Sequence, residues 1–466
     1  MQIWRGNAFS ELHNAPLFFI AAIRRQLAIP LAPTRDEAER RLRETRFGEV
    51  FVHEGNPWGS LVRIDNRVPA GLTAYVIALA EHHGVAYELR DNRMRPTENV
   101  PWWCVNAAWR PYQDQVHRAI LDYGSGVIDA PPRSGKTLMA ARAIDAIALD
   151  TVYVAPSVQI VRQTYEVFCS LWGEHMVSRL DGTAKPDQRD ATKSIVVTTA
   201  ASAVRQSEEW WKTRDVLVID EFHHAAAETY HRISELASEA YYRLCFTGTH
   251  FRTAGDDLAM AAVCSQVLHK IEIRELVAGG YIAAPRIVFA STAHLGDPVP
   301  VGTSWEDAYN QGIVHHLGRN TLIAQIADGI GNQNAIPTIV LVKRREHADL
   351  LGEMIPDSVV VKGGEGALTS AAVKRFADGE GYVLIGTSVI GEGVDLPRAS
   401  ALIYAAGGDA SVQMMQSYFR PLTAHAGKSV GLIYDFDDAH GTTTMRRHAA
   451  SRRRFVQARI GEQVVV

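Results

Sequence analysis

The chain has 466 residues, more than one ordinary core organises, so two or three domains are expected. At 47% hydrophobic and 21% charged it has the composition of a soluble globular protein. A formal net charge of -4 excludes a surface that binds polyanions all over, so any nucleic-acid site must be a local stripe or groove.

Near the start, the apolar run 16–23 is followed at once by Arg24 and Arg25. It lacks the basic leader and cleavage site of a signal peptide and reads as a core helix. No stretch is long enough to span a membrane, and a cytoplasmic location is expected. Up to Pro101 the chain is rich in Arg and Glu, with helical stretches expected over 34–45 and 72–82. Residues 1–105 should therefore form a separate small α+β domain. Trp102, Trp103 and Trp109 suit a connector packed on the next domain better than a platform for stacked bases. The four cysteines, Cys104, Cys169, Cys245 and Cys264, form no Cys-x-x-Cys pair. This predicts reduced, buried thiols, with neither a zinc site nor a disulfide framework.

From Gly126 onward, short β-branched runs alternate with helical stretches. The runs are 127–130, 151–155, 194–199, 216–220 and 243–247, then 338–342, 358–361, 382–387, 401–405 and 430–436. Continuous Val/Ile/Leu runs of this length suit parallel strands buried on both faces. Their alternation with helices means α/β with crossover connections. A gap holding Gly279, Gly280, Pro285 and the polar stretch 291–305 divides the runs into two groups. The predicted lobes are 106–285 and 286–466, with the boundary near Pro285.

The first run leads into Ala130-Pro-Pro-Arg-Ser-Gly-Lys-Thr137 and then a helix, the strand–loop–helix setting of a phosphate-binding loop. Backbone N–H groups along the loop that holds Pro132, Arg133, Ser134 and Gly135 would face the phosphates together with the helix N-terminus. Lys136 would supply a cation to the β- and γ-phosphates, and Thr137 a hydroxyl ligand to Mg2+. Arg133 stands where glycine is frequent. The fourth run ends in Asp220-Glu221-Phe-His-His224, and adjacent acids at the end of an apolar strand are costly unless they bind something. Asp220 would hold Mg2+, Glu221 would polarise the attacking water, and His223 would link the nucleotide site to its neighbour. His224 reads as packing. The nucleotide is expected to be ATP.

In series, these motifs resemble superfamily 2 helicases of the DExH type, with UvsW-like phage helicases and XPB-type translocases nearest in look, from about Trp109 to Arg454. The resemblance implies two tandem RecA-like lobes. It makes Arg110 and Gln113 the adenine-recognition pair, and Pro156, Ser157 and Thr199 contacts to a nucleic-acid backbone. Thr247-Gly-Thr249, with Arg252 after it, would couple hydrolysis to movement. In the second half, Lys343 resembles the fourth motif. Gly386-Thr-Ser-Val-Ile-Gly-Glu-Gly-Val-Asp-Leu-Pro397 resembles the fifth, implying Thr387 on a nucleic-acid phosphate, Gly393 near the γ-phosphate and Asp395 on the ribose. A phage origin and an infected bacterial cell are implied by the same likeness.

The sixth motif departs from the family pattern Gln-x-x-Gly-Arg-x-x-Arg. One register uses Gln413 with Arg420 and leaves Ser417 at the first arginine. The other uses Gln416 with Arg420, leaves Thr423 at the second arginine, and places Gly427-Lys428 at the expected distance, so it is preferred. Either Arg420 suffices, another residue substitutes, or hydrolysis is slow.

The basic stretch 445–454 reads equally as a grip on DNA or as a docked terminal helix. Residues 65–72 and 90–93 weakly resemble a segment that precedes the motor in UvsW-like proteins, which hints at recognition of branched or duplex DNA. The expected function is an ATP-dependent DNA helicase or translocase acting on single-stranded, duplex or branched DNA. An RNA remodeller and an ATP-gated nucleic-acid binder with weak hydrolysis are the alternatives.

Overall fold

The computed structural model of the chain describes all residues except 31–34, 46–49, 54–55, 98, 103, 105–108, 222–226, 249–255, 297–298, 301, 363–365, 388–395, 397, 410–411, 426, 462–463 and 466. It divides into two compact units, Met1–Pro131 with Gly135–Ile271, and Pro132–Ser134 with Glu272–Val466.

Seven strands come first: β1 (Gln2–Arg5), β2 (Phe9–His13), β3 (Ala28–Pro30), β4 (Val50–His53), β5 (Asn56–Ser60), β6 (Arg67–Pro69) and β7 (Glu88–Asp91). A mixed sheet has the order β6-β2-β1-β7, and a small antiparallel sheet the order β3-β5-β4. The apolar run near the start is the helix Leu17–Gln26, which turns Phe19, Ile20 and Ile23 inward at helical spacing. Helices Arg35–Thr45 and Thr73–His82 lie within one residue of the expected bounds. This α+β segment does not close its core alone. Ala261 and Ala262, from the helix Asp256–Cys264, complete it. There the turn Ala70–Leu72 presses so close that a Cβ on Gly71 would lie 1.9 Å from the Ala261 carbonyl oxygen.

The first RecA-like sheet holds β8 (Ser125–Asp129), β9 (Thr151–Ala155), β10 (Val177–Leu180), β11 (Ile195–Thr199), β12 (Val216–Asp220), β13 (Tyr242–Thr247) and β14 (Val267–Lys270). Its order is β10-β11-β9-β12-β13-β8-β14, and every pair is parallel. β9, β12 and β13 are buried along their whole length, which is why their sequences are unbroken apolar runs.

The second unit repeats the plan with β15 (Ala284–Ala290), β16 (Thr338–Leu341), β17 (Ser358–Val361), β18 (Val383–Gly386), β19 (Ala401–Tyr404), β20 (Val430–Phe436) and β21 (Val464–Val465). The order is β17-β18-β16-β19-β20-β15-β21, again all parallel. All ten expected runs are strands. The sheets also recruit β10, β14, β15 and β21, which the runs did not announce. β10 reads Val-Ser-Arg-Leu, β14 is an edge strand with His and Lys, and β15 alternates buried and less buried residues, with Pro285 inside it.

The cysteine expectation is corrected. Cys245 and Cys264 form a disulfide, with Cα atoms 6.0 Å apart, while Cys104 is exposed and Cys169 partly so. β13 carries Cys245 into the sheet, and the helix Asp256–Cys264 ends beside it. Fold proximity across 19 residues is not a spacing signal.

The basic stretch near the end belongs to the helix Thr443–Ile460, with Met445, Ala449, Arg452, Val456 and Arg459 buried. Arg452 therefore does not face solvent, whereas Arg446, Arg447 and Arg454 do. Arg452 donates to both oxygens of Asp435, at 2.9 and 3.0 Å, and to Asp438 at 3.1 Å; Arg319 donates to Asp438 at 3.0 Å. Two cations and two anions, all nearly fully buried, thus neutralise one another. Removing one arginine would strand a carboxylate, at a cost of about 3–5 kcal/mol. Among the described residues no helix is long and apolar enough to cross a membrane.

Gly71→Ala tests the contact between the N-terminal segment and the helix Asp256–Cys264. The added methyl must push backbone apart, so thermal or urea unfolding should show a loss of about 1–3 kcal/mol. An unchanged melting profile would mean the two elements do not pack this tightly.

Candidate nucleotide and nucleic-acid site

The phosphate loop leaves β8 at Asp129 and enters the helix Lys136–Ile147. Arg133 and Gly135 adopt φ of 70° and 83°, the left-handed region that glycine occupies freely. This explains why glycine is frequent at the position Arg133 holds, and an arginine there costs about 1–2 kcal/mol of backbone strain. Ser134 is buried within the loop. Gln113 is buried too, and a Cβ on Gly135 would lie 2.9 Å from its Nε2, so the amide sits against the loop. Gln113 Oε1 also accepts from the Arg110 backbone N–H at 3.1 Å, and the Arg110 guanidinium donates to Tyr112 at 2.9 Å. Arg110 and Gln113, the pair expected to recognise adenine, are thus locked into the start of the helix Pro111–Tyr123, beside the phosphate loop.

Asp220 and Glu221 stand at the end of β12, one strand over from β8 with β13 between. Lys136 Nζ lies 2.7 Å from Glu221 Oε1, with both side chains about nine-tenths buried. Glu221 turns out of the strand at φ 48°. Its other oxygen accepts from the Gly248 N–H at 3.3 Å, so the end of β13 is bonded to the same carboxylate. Asp220 Oδ2 accepts from the Tyr153 hydroxyl at 2.8 Å. The Thr137 hydroxyl hydrogen-bonds Tyr153 in turn. Among the described residues, Asp220 Oδ1 is buried and has no hydrogen-bond partner. Thr137, Tyr153 and Asp220 therefore form one chain of oxygens, ending in an acceptor atom that no described donor meets. Burial, then the adjacent Glu221, push the Asp220 carboxyl up to about 6 against the pull of Lys136 and Tyr153. Tyr153 was not among the expected residues. Its only sequence signal is a tyrosine inside the otherwise aliphatic Thr-Val-Tyr-Val-Ala strand.

Ser157 and Thr199 cap the helices Val158–Trp172 and Ala200–Ala203, accepting from Ile160 N–H and Ser202 N–H, both at 3.3 Å. Pro156, just before the first cap, is partly exposed. β9 and β11 are neighbours with Ala155 opposite Thr199, so both caps lie on the same edge of the sheet. In the second unit Lys343 comes after β16 and Thr387 after β18, which are also neighbours. Lys343 is exposed, with its ammonium 5.6 Å from the centre of the Tyr309 ring, and Thr387 is buried. Gln416 lies on the helix Val412–Tyr418, and Arg420 opens a single tight turn, Arg420–Leu422, at its end. Thr423 does not continue a helix. It bridges Ile282 and its hydroxyl donates to the Arg420 carbonyl at 3.1 Å. His223, His224, Thr249, Arg252, Gly393 and Asp395 lie outside the described residues.

The raised Asp220 carboxyl has a stability consequence. In the unfolded chain Asp220 loses its proton near 3.8, and in the fold only near 6. Its favourable contribution is complete below about 4 and is lost as the pH rises through 6. Asp220→Asn, which cannot ionise, should therefore stabilise the ligand-free protein at pH 7.5. The advantage should vanish by pH 4. A melting series over that range checks it, and a destabilised variant at pH 7.5 would refute it.

The family model described as "Type III restriction enzyme, res subunit" matches residues 106–252. The chain is 24% identical over 353 residues to the DNA 3'-5' translocase XPB2 of Sulfurisphaera tokodaii, covering 67% of this chain and 78% of that protein. It is 20% identical over 332 residues to the ATP-dependent DNA helicase uvsW of Enterobacteria phage T4, covering 68% and 65%. Other relatives are longer, and the chain spans 51% of the helicase Rad25 of Haloarcula marismortui. In fold, the type ISP restriction-modification enzyme LlaBIII is similar, with a TM-score of 0.56 at 14% identity over 76% of this chain and 30% of that one. These likenesses are to helicases, translocases and restriction enzymes, and the two parallel sheets of the chain share their fold.

Proposed function

We propose that the chain is an ATP-dependent DNA translocase of the helicase type, with residues 1–105 as an accessory module and two RecA-like lobes that follow it, divided near Pro285. The observation that carries the reading is the buried Lys136–Glu221 pair, beside Asp220 and Thr137, at the end of the first sheet. Carboxylates held there against the cost of burial are poised for chemistry rather than for stability.

Lys136 has two possible partners, Glu221 and a triphosphate. The triphosphate is the stronger anion, so ATP would draw the ammonium away from Glu221. The released carboxylate is then free to orient a water and accept its proton. Substrate binding and exposure of the base are thereby one event. Thr137 and the Oδ1 of Asp220, which no described donor meets, fit a hard divalent cation, and Mg2+ held there would neutralise charge on the β- and γ-phosphates. Arg110 and Gln113 would hold the adenine, and Gly393 and Asp395 would approach the γ-phosphate and ribose. Gln416 and Arg420 would act on the phosphates from the second lobe, and His223 would relay between nucleotide and nucleic acid.

Pro156, Ser157 and Thr199 on the first sheet, and Lys343 and Thr387 on the second, would hold a strand by its phosphates. Contacts of this kind position a motor without reading sequence. The names of the matched relatives, DNA helicases and a DNA translocase, favour DNA over RNA. A site of action in the cytoplasm fits the same reading.

ATPase rates should be measured with single-stranded, duplex, forked and four-way DNA, and with matched RNA. DNA should stimulate turnover. Lys136→Ala should lower it at least about a hundredfold, the scale of one lost transition-state contact. Hydrolysis indifferent to every nucleic acid would sink the proposal, and stimulation by RNA alone would transfer it to RNA.

A further inference from the structure

The buried charges of the second unit are wired to the sixth motif. Tyr418 closes the helix Val412–Tyr418, two residues after Gln416 and two before Arg420. It is fully buried, and its hydroxyl donates to Asp435 Oδ2 at 2.5 Å. The same carboxylate is held from the other side by Arg452, which reaches both oxygens. Arg452 also donates to the carbonyls of Phe436, at 2.8 Å, and Gly408, while Arg319 donates to the Ala405 carbonyl at 3.0 Å. Gly408 and Ala405 lie on the segment that leads from β19 into the motif helix. The two arginines thus hold the approach to the helix, and Tyr418 holds its exit.

An apolar core would serve stability as well as this ionic cluster does, since buried ion pairs seldom outdo packed hydrocarbon. What the cluster adds is direction: each carboxylate oxygen has assigned donors, so the helix exit has one permitted position. The turn Arg420–Leu422 begins two residues later and contains Pro421, so little slack separates Tyr418 from Arg420.

We propose that Tyr418, Asp435 and Arg452 form a positioning relay, through which the helix Thr443–Ile460 sets the placement of Arg420 for ATP hydrolysis. Arg452 belongs to the basic stretch that reads equally as a grip on DNA or as a docked terminal helix, and its side chain is turned inward. With a single arginine in the motif and Thr423 in place of the other, placement of Arg420 carries the burden that two arginines would share. The relay rests on the reading of Arg420 as the residue that acts on ATP.

The test uses the full chain with saturating DNA and measures kcat and KM for ATP alongside melting temperature. Tyr418→Phe keeps the ring and deletes only the donated proton. It should lower kcat about ten- to a hundredfold, as small misplacements of a catalytic group do, with KM for ATP within about twofold. Arg452→Lys keeps the charge without the two-pronged grip and should do the same while remaining folded at the assay temperature. In an Arg420→Ala background, Tyr418→Phe should have no further effect on kcat. Parent-level kcat in Tyr418→Phe, or a fully additive loss in the double variant, overturns the relay and leaves the reading of Arg420 intact. Parent-level kcat in Arg420→Ala overturns that reading and the relay with it.

Discussion

A charge removed from water needs an opposite charge at hydrogen-bond distance, and both halves of this chain are organised around that requirement. In the first unit the requirement is met by Lys136 and Glu221, 2.7 Å apart at the sheet end. In the second it is met by Arg319 and Arg452 against Asp435 and Asp438. The two solutions differ in reversibility. A lone lysine facing a glutamate can exchange partners when a stronger anion arrives. A guanidinium with its donors divided among two carboxylates and backbone carbonyls cannot exchange one without losing the rest. One is suited to be a switch and the other a frame.

The parallel sheets supply the geometry for both. Every strand in each sheet points the same way, so the strand ends that carry Asp220, Ser157 and Thr199, or Thr387 and Lys343, share one edge. Helices start at that edge and bring their N–H groups with them. Asp220 shows the cost: its carboxyl resists ionisation because burial and Glu221 oppose it. Function and stability pull in opposite directions at this residue, as they commonly do where a site must bind charge.

Much of the fold was legible because parallel strands buried on both faces leave unbroken apolar runs, and all ten such runs are strands. Strands that carry Arg179, His269 or Pro285 had no such signature, since an edge position or one wetter face tolerates polar residues. The phosphate loop and the acids after β12 were readable as short local strings. Tyr153 was not, because its importance comes from β9 lying beside β12, a relation between distant segments. The disulfide between Cys245 and Cys264 and the inward turn of Arg452 were hidden for the same reason. Helical spacing gave Arg452 no visible difference from Arg447 or Arg454, and only the position of Asp435 distinguishes it.

The contact at Gly71 has a consequence for synthesis. Domains generally fold in the order in which they leave the ribosome. Here the core around Ile3, Phe19 and Leu72 includes Ala261 and Ala262, so it is completed only after the chain has been made through the helix Asp256–Cys264. The core of the N-terminal segment therefore waits for that helix. Its apolar residues stay partly uncovered while the strands of the first RecA-like sheet are assembled. A chain interrupted before that helix would leave the segment's core exposed.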